Sequence, residues 1–175
     1  MNRRNILSLS VITALGLAVL PGSALAQQKP LKDQLAGTWT LVSNNNVAAD
    51  GTKRQPFGAN PKGALVFSNN GQYTQIMVRS DVPKFKINNR LEGTAEENKA
   101  VVHGTVAQFG AWSVDEASKT LIVRQEGSMF PNAIGTESKR SITLTGDQLT
   151  MINPAPASGG RSESVWKRGT TLASK

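Results

Sequence analysis

Few side chains in this sequence can do covalent or proton-transfer chemistry. There is one histidine, His103, and no cysteine. Catalytic thiols, disulfides and thiolate zinc sites are thereby excluded, and a histidine-rich metal centre lacks its ligands. No Gly-x-Ser-x-Gly elbow and no Gly-x-x-x-x-Gly-Lys phosphate loop occurs. Glu96-Glu97 and Asp115-Glu116 are adjacent pairs, and adjacent residues do not face each other on a helix or a strand, so neither reads as an acid/base couple. His103 falls at the end of a predicted short helix and reads as a helix-terminal cation. The expectation is no catalytic residue, no cofactor and no metal.

A second group of residues is better suited to holding a guest. Tyr73, Gln75 and Met77 share one face of a predicted strand. A phenol, an amide and a thioether make an adaptable wall with few polar groups; the competing reading leaves that face in water. Arg124 and Glu126 fall in phase on a later strand. If they faced inward with Arg140, they would form a buried charge network that must pair internally or with a ligand carboxylate. The bland alternative is a ladder of surface charges. Phe67, Phe109 or Trp112, and Phe130 supply apolar lining, which completes the candidate ligand-binding set. Trp39 reads as core, with Trp166 beside it and Arg168 or Arg140 over a ring face.

Positioning these residues requires strands. Gly37–Ser43, Gly63–Phe67, Tyr73–Val78, Val106–Val114, Thr120–Glu126, Lys139–Thr145, Leu149–Ile152 and Glu163–Arg168 are short, rich in β-branched and aromatic residues, and divided by turn chemistry. Asn70-Gly71 is the clearest hairpin signal. Residues 44–62 read as a long polar loop and 80–93 as irregular. Thr94-Ala95-Glu96-Glu97 is a capping box opening a helix that runs to about His103. Gly110 marks a bulge or a kink. Eight sequential antiparallel strands leave two sheet edges unless they close, which favours a barrel over an open sandwich. The expected fold is all-β: a single eight-stranded antiparallel up-and-down β-barrel with one short inserted helix.

The first 26 residues read as a secretory signal. Arg3-Arg4 precedes an apolar run from Ile6 to Leu20, then Pro21-Gly22 and the small-x-small site Ala24-Leu25-Ala26. The run is about 15 residues, shorter than the ~20 that span a bilayer. Asn2-Arg3-Arg4-Asn5-Ile6-Leu7 also resembles a twin-arginine signal, so either export route fits. The predicted organisation is a signal peptide over 1–26, an N-terminal arm over 27–34, a barrel domain over 35–168 and a flexible tail over 169–175, with a periplasmic or secreted destination. The full chain carries 20 basic and 12 acidic residues, a net charge of +8. The basic residues are scattered and lack interleaved aromatics, so no nucleic-acid partner is expected. No stable membrane insertion is expected after signal cleavage.

Several runs together resemble the bacterial lipocalin-like domain family. Leu35-Ala36-Gly37-Thr38-Trp39 is similar to the Gly-x-Trp opening of lipocalins. Gly63–Gly71, Glu96–Ala100, Phe109–Ala117, Glu126–Asn132, the run ending at Arg140, Gly146–Leu149 and Trp166–Arg168 follow in the family's order. The resemblance spans Leu35 to Arg168. It implies an eight-stranded lipocalin-like barrel, Trp39 at the barrel floor and, by analogy, a small apolar ligand. It implies no reaction. Many members carry histidine in the strand before Glu126-Gly127-Ser128, where this chain has Val123 and Arg124.

The functional expectation is an exported barrel that binds a small, largely hydrophobic molecule, with an acidic group on the ligand as one form of it. One rival is a cofactor-free isomerase or cyclase using Glu126 as its acid. A second is a barrel with a filled core serving as an envelope interaction protein.

Overall fold

The computed structural model describes residues 29–169. The leader expected over 1–26 and almost all of the expected tail lie outside these residues. Alternating apolar and polar positions generate the strands. In β1 (Gly37–Val47) Trp39 and Leu41 are buried while Thr38 and Thr40 are exposed. β2 (Lys53–Arg54) is a two-residue strand against the end of β1. Then come β3 (Lys62–Phe67), β4 (Gln72–Val78), β5 (Thr105–Asp115), β6 (Thr120–Ser128), β7 (Glu137–Thr145), β8 (Gln148–Asn153) and β9 (Arg161–Arg168). Each pairs antiparallel with its neighbour from β3 onward, and β1 pairs with both β3 and β9. Eight strands thus close a barrel, which leaves no long edge free for aggregation. The open sandwich is excluded.

The local signals take their expected forms, with two adjustments besides the expected 44–62 loop, where Asn44–Val47 extend β1 and Lys53–Arg54 form β2. Gly71 adopts a φ of +86°, and Ser68 N–H donates to the Gln72 carbonyl at 2.8 Å. The loop holds three residues, Asn69, Asn70 and Gly71, and only the glycine takes the left-handed conformation, as in a turn closed by a glycine bulge. The second adjustment is in the polar arm, whose end forms a five-residue helix, α1 (Leu31–Leu35). Leu35 is fully buried against the core. The longer helix α2 (Ala95–Gly104) opens with the predicted capping box: Glu97 N–H donates to Thr94 Oγ1 at 3.2 Å, and Thr94 N–H donates to Glu97 Oε2 at 2.8 Å.

α1 closes one end of the barrel. Leu31 and Lys32 N–H donate to the Glu116 carboxylate at 2.8 and 3.0 Å, so the β5–β6 turn anchors the helix start. The β3–β4 and β7–β8 turns lie at this same end, because the strands alternate in direction. The connections 48–61, 79–104, 129–136 and 154–160 lie at the opposite end. One of them contributes to the core: Phe57, inside the segment expected to be a polar loop, is buried with the barrel residues.

Candidate functional site

The interior has two layers. Near α1 it is aromatic and closely packed. Trp39, Phe67, Trp112 and Trp166 are buried there, and the Phe67 and Trp112 ring centroids are 4.7 Å apart. Each indole N–H has an acceptor: Trp39 on Leu35 O, Trp112 on Ser68 O and Trp166 on Ser164 Oγ. A buried indole without such a partner would leave a polar group stranded.

Toward the other end the inward positions turn polar. β4 presents Tyr73, Gln75 and Met77 to the interior, β6 presents Gln125, and β7 presents Arg140, all buried. β5 adds the half-buried Gln108. Gln75 is the hub. Its Oε1 accepts from Arg140 Nη1 at 2.8 Å and from Gln108 Nε2 at 2.9 Å, while its own Nε2 reaches only the Met77 sulfur at 3.6 Å. Two polar atoms in this layer are buried without a partner among the described residues: the Tyr73 hydroxyl and Arg140 Nε.

The electrostatics follow from that burial. Among the described residues, the ion pairs are Arg79–Asp81, Arg161–Glu163 and Arg168–Asp147, and none reaches Arg140. Burial pushes the Arg140 pKa down, with only the Tyr73 phenolate acting in the opposite direction. A guanidinium starts so high that it stays charged in proteins. Burial likewise pushes the Tyr73 pKa up; Arg140 opposes that shift and Glu126 adds to it.

Of the ten residues selected from sequence, Phe67, Tyr73, Gln75, Met77, Trp112 and Arg140 face inward. Phe109, Arg124, Glu126 and Phe130 do not. Phe109 is 54% exposed, and Arg124, Glu126 and Phe130 are also on the outside. Arg124 and Glu126 therefore do not join Arg140 in a buried network; they lie on the surface, as the ladder reading has it. Phase explains the difference. Trp112 faces inward and Phe109, three positions earlier on the same strand, must face outward. On β6 the inward set is Leu121, Val123 and Gln125. A bulge then breaks the register: Phe109 pairs with Gly127 and Gly110 with Gln125, leaving Glu126 as the extra residue. Gly110 sits so close to the Arg124 carbonyl that no side chain fits there.

Gln108, Gln125 and Phe57 were not selected from sequence. The two glutamines could have been found by extending the inward phase from Trp112 and Val123. Phe57 carries no periodic signal, being the single large apolar residue of an irregular connection.

Two clefts lie at the ends of the barrel. One, of about 450 Å³, runs beside α1 and is lined by Lys29, Lys32, Asp33, Ala36, Asn69 and Trp112. The other, of about 510 Å³, lies between the 48–51 turn and residues 154–161. Neither reaches Arg140. Among the described residues, no helix is long and apolar enough to cross a membrane.

Two solved structures illustrate what the chain is similar to. A lipocalin-like protein from Bacteroides uniformis ATCC 8492 is 15% identical, with 77% of this chain and 98% of that one covered and a TM-score of 0.42. A point mutant of the fluorescent protein UnaG is 13% identical, with 79% and 99% covered and a TM-score of 0.38. No curated protein matches the chain. The family described as a lipocalin-like domain matches residues 36–173. Most of the sequence, and every strand of the barrel, therefore falls within that match, and the chain belongs to the lipocalin-like domain family.

Proposed function

We propose that this protein is an exported carrier whose barrel binds a small, largely hydrophobic molecule. The leader, cut after Ala26, takes the chain out of the cytoplasm, and the folded domain then holds its guest between the aromatic floor and the end that carries α2. The observation that carries this reading is the inner wall of β4. Tyr73, Gln75 and Met77 face the interior together, and the phenol and Arg140 there keep donors that nothing in the barrel satisfies. Barrels of eight strands are just wide enough for side chains or one small ligand. Apolar burial would drive binding at roughly 25 cal/mol per Å² removed from water, and the few polar groups would orient the guest.

One observation favours a second reading, an envelope interaction protein with a filled barrel. The floor formed by Trp39, Phe67, Trp112 and Trp166 is already packed. The unpaired donors above that floor weigh the other way, because a core evolved only for packing has no use for them. The isomerase or cyclase reading needs an interior acid, and Glu126 lies on the outside.

Native mass spectrometry of protein recovered from the periplasm tests the carrier reading. The expected spectrum contains a small-molecule adduct that is lost on denaturation. Unadorned protein from several preparations, together with failure to take up any apolar probe, would favour the filled barrel.

A further inference from the structure

We infer that the polar layer around Arg140 is a subsite for the carboxylate of an amphiphilic acid, with the acid's apolar tail directed toward the α2 end. This inference rests on the carrier reading and names the class of guest.

Arg140 is only 6% exposed, and no carboxylate among the described residues pairs with it. Its one side-chain bond is to a neutral amide oxygen. A buried cation without a counter-charge is costly to keep, and a fold with no use for it would lose it to a hydrophobic residue of similar size.

The second observation is a shortage of acceptors. Gln75 Oε1 already accepts from two donors. Gln125 Oε1 accepts from Thr136 Oγ1 at 3.3 Å. Among the described residues, Arg140 Nε and the Tyr73 hydroxyl have no acceptor, and Gln75 Nε2 has only a thioether. A carboxylate is an acceptor-only group with two oxygens and about four lone-pair sites. It would take the free edge of the guanidinium and the phenol together, and supply the negative charge that the layer lacks. Met77, the least buried of the β4 wall residues, is flexible enough to move aside for it.

The third observation gives the direction of the tail. Below the polar layer the barrel is filled with aromatic side chains. Above it, the 79–104 and 129–136 connections carry six of the nine exposed large hydrophobic residues among those described: Ile87, Leu91, Val102, Met129, Phe130 and Ile134. An apolar tail leaving Arg140 can only run toward this end.

Titration calorimetry on the mature protein, stripped of co-purified lipid, tests the inference with dodecanoate, dodecanol and methyl dodecanoate as probes. Wild type should bind dodecanoate at least about tenfold more tightly than the alcohol or the ester, since a buried charge-assisted pair is worth that much or more. Arg140→Met should remove this preference, so that dodecanoate binds about as weakly as dodecanol. Its melting temperature without ligand should equal or exceed that of wild type, because an unpaired buried charge has gone. Tyr73→Phe, which preserves packing, should weaken dodecanoate alone. Equal binding of acid and alcohol by wild type, or an Arg140→Met variant that holds dodecanoate as well as wild type, overturns the carboxylate subsite and leaves the carrier reading standing. A ligand-free Arg140→Met protein that melts well below wild type assigns Arg140 to structure and also overturns it. If none of the three probes binds, the subsite and the hydrophobic guest are rejected together.

Discussion

The Arg168 guanidinium lies over the Trp39 ring, 4.2 Å from its centroid, and donates from the same head group to the Gln34 and Ala36 carbonyls at 2.6 and 3.4 Å. One side chain from the last strand thereby joins the first strand to the C-terminal end of α1. It covers the indole with a cation, satisfies helix-end carbonyls, and locks the closing β1–β9 seam. Arg168→Ala should destabilise the domain by about 1–3 kcal/mol, with Arg168→Lys recovering only part of that because a lysine cannot stack and fork at once. Urea unfolding of the three proteins measures this.

The docking of α1 should depend on Glu116. Its carboxylate receives the Leu31 and Lys32 amides. Glu116→Ala should cost about 1 kcal/mol and raise amide exchange selectively in residues 31–35. Uniform exchange across the barrel, with no local change, would mean that Leu35 burial alone holds the helix.

The bulge at Gly110 should tolerate no side chain. A methyl group there would press into the Arg124 carbonyl and the Glu126 amide. Gly110→Ala should therefore cost about 2–3 kcal/mol, the range of an overpacked site that must shift backbone. Gly135, which has open space around it, should lose only the ~1–2 kcal/mol of forcing alanine into a left-handed conformation. Denaturation midpoints compare the two.

Tyr73 is the only tyrosine of the chain, so tyrosinate absorbance reports on it alone. Burial should hold its ionisation above the ordinary value of about 10. The neutral buried phenol contributes stability that is complete below that value and is lost as pH rises through the folded-state pKa. Arg140→Met removes the nearby positive charge that opposes the shift, and should move the titration higher still. A titration at the free-phenol value in folded wild type would mean that the ring is solvated.

The helix α2 should weaken in acid. Glu97 accepts from the Lys86 and Thr94 amides, and these bonds hold its carboxyl below the ordinary range. A depressed pKa contributes stability above the unfolded value, about 4.3, that is lost as pH falls through the folded one. Glu97→Gln should remove this acid dependence, as followed by carboxyl NMR shifts and helix amide exchange.

How much of this was legible in the sequence depended on the range of the interactions involved. Strands, hairpins and the capping box rest on local signals: the alternation around Trp39 and Leu41, the glycine after Asn69-Asn70, and Thr94 spaced three residues from Glu97. Barrel closure was legible through the cost of open edges and through the resemblance to the lipocalin-like domain family. Which face of a strand looks inward is a non-local property. The sequence leaves it open on both β4, where Tyr73, Gln75 and Met77 lie inside, and β6, where Arg124 and Glu126 lie outside and Gln125 inside. A charged residue on a strand does not announce which face is buried. The Gly110 bulge adds a register shift that only pairing with β6 reveals. Five residues give too little periodicity to mark α1 as a helix, and it is the Glu116 anchor, 84 and 85 residues away in sequence, that holds its start.

A crystal structure of the protein grown with dodecanoate decides whether the barrel holds a guest. One fatty-acid molecule is expected inside the barrel, with its carboxylate within hydrogen-bonding distance of Arg140 Nε and the Tyr73 hydroxyl and its tail running toward α2. A barrel interior filled by its own side chains, with the acid confined to the outer clefts or absent, would contradict it.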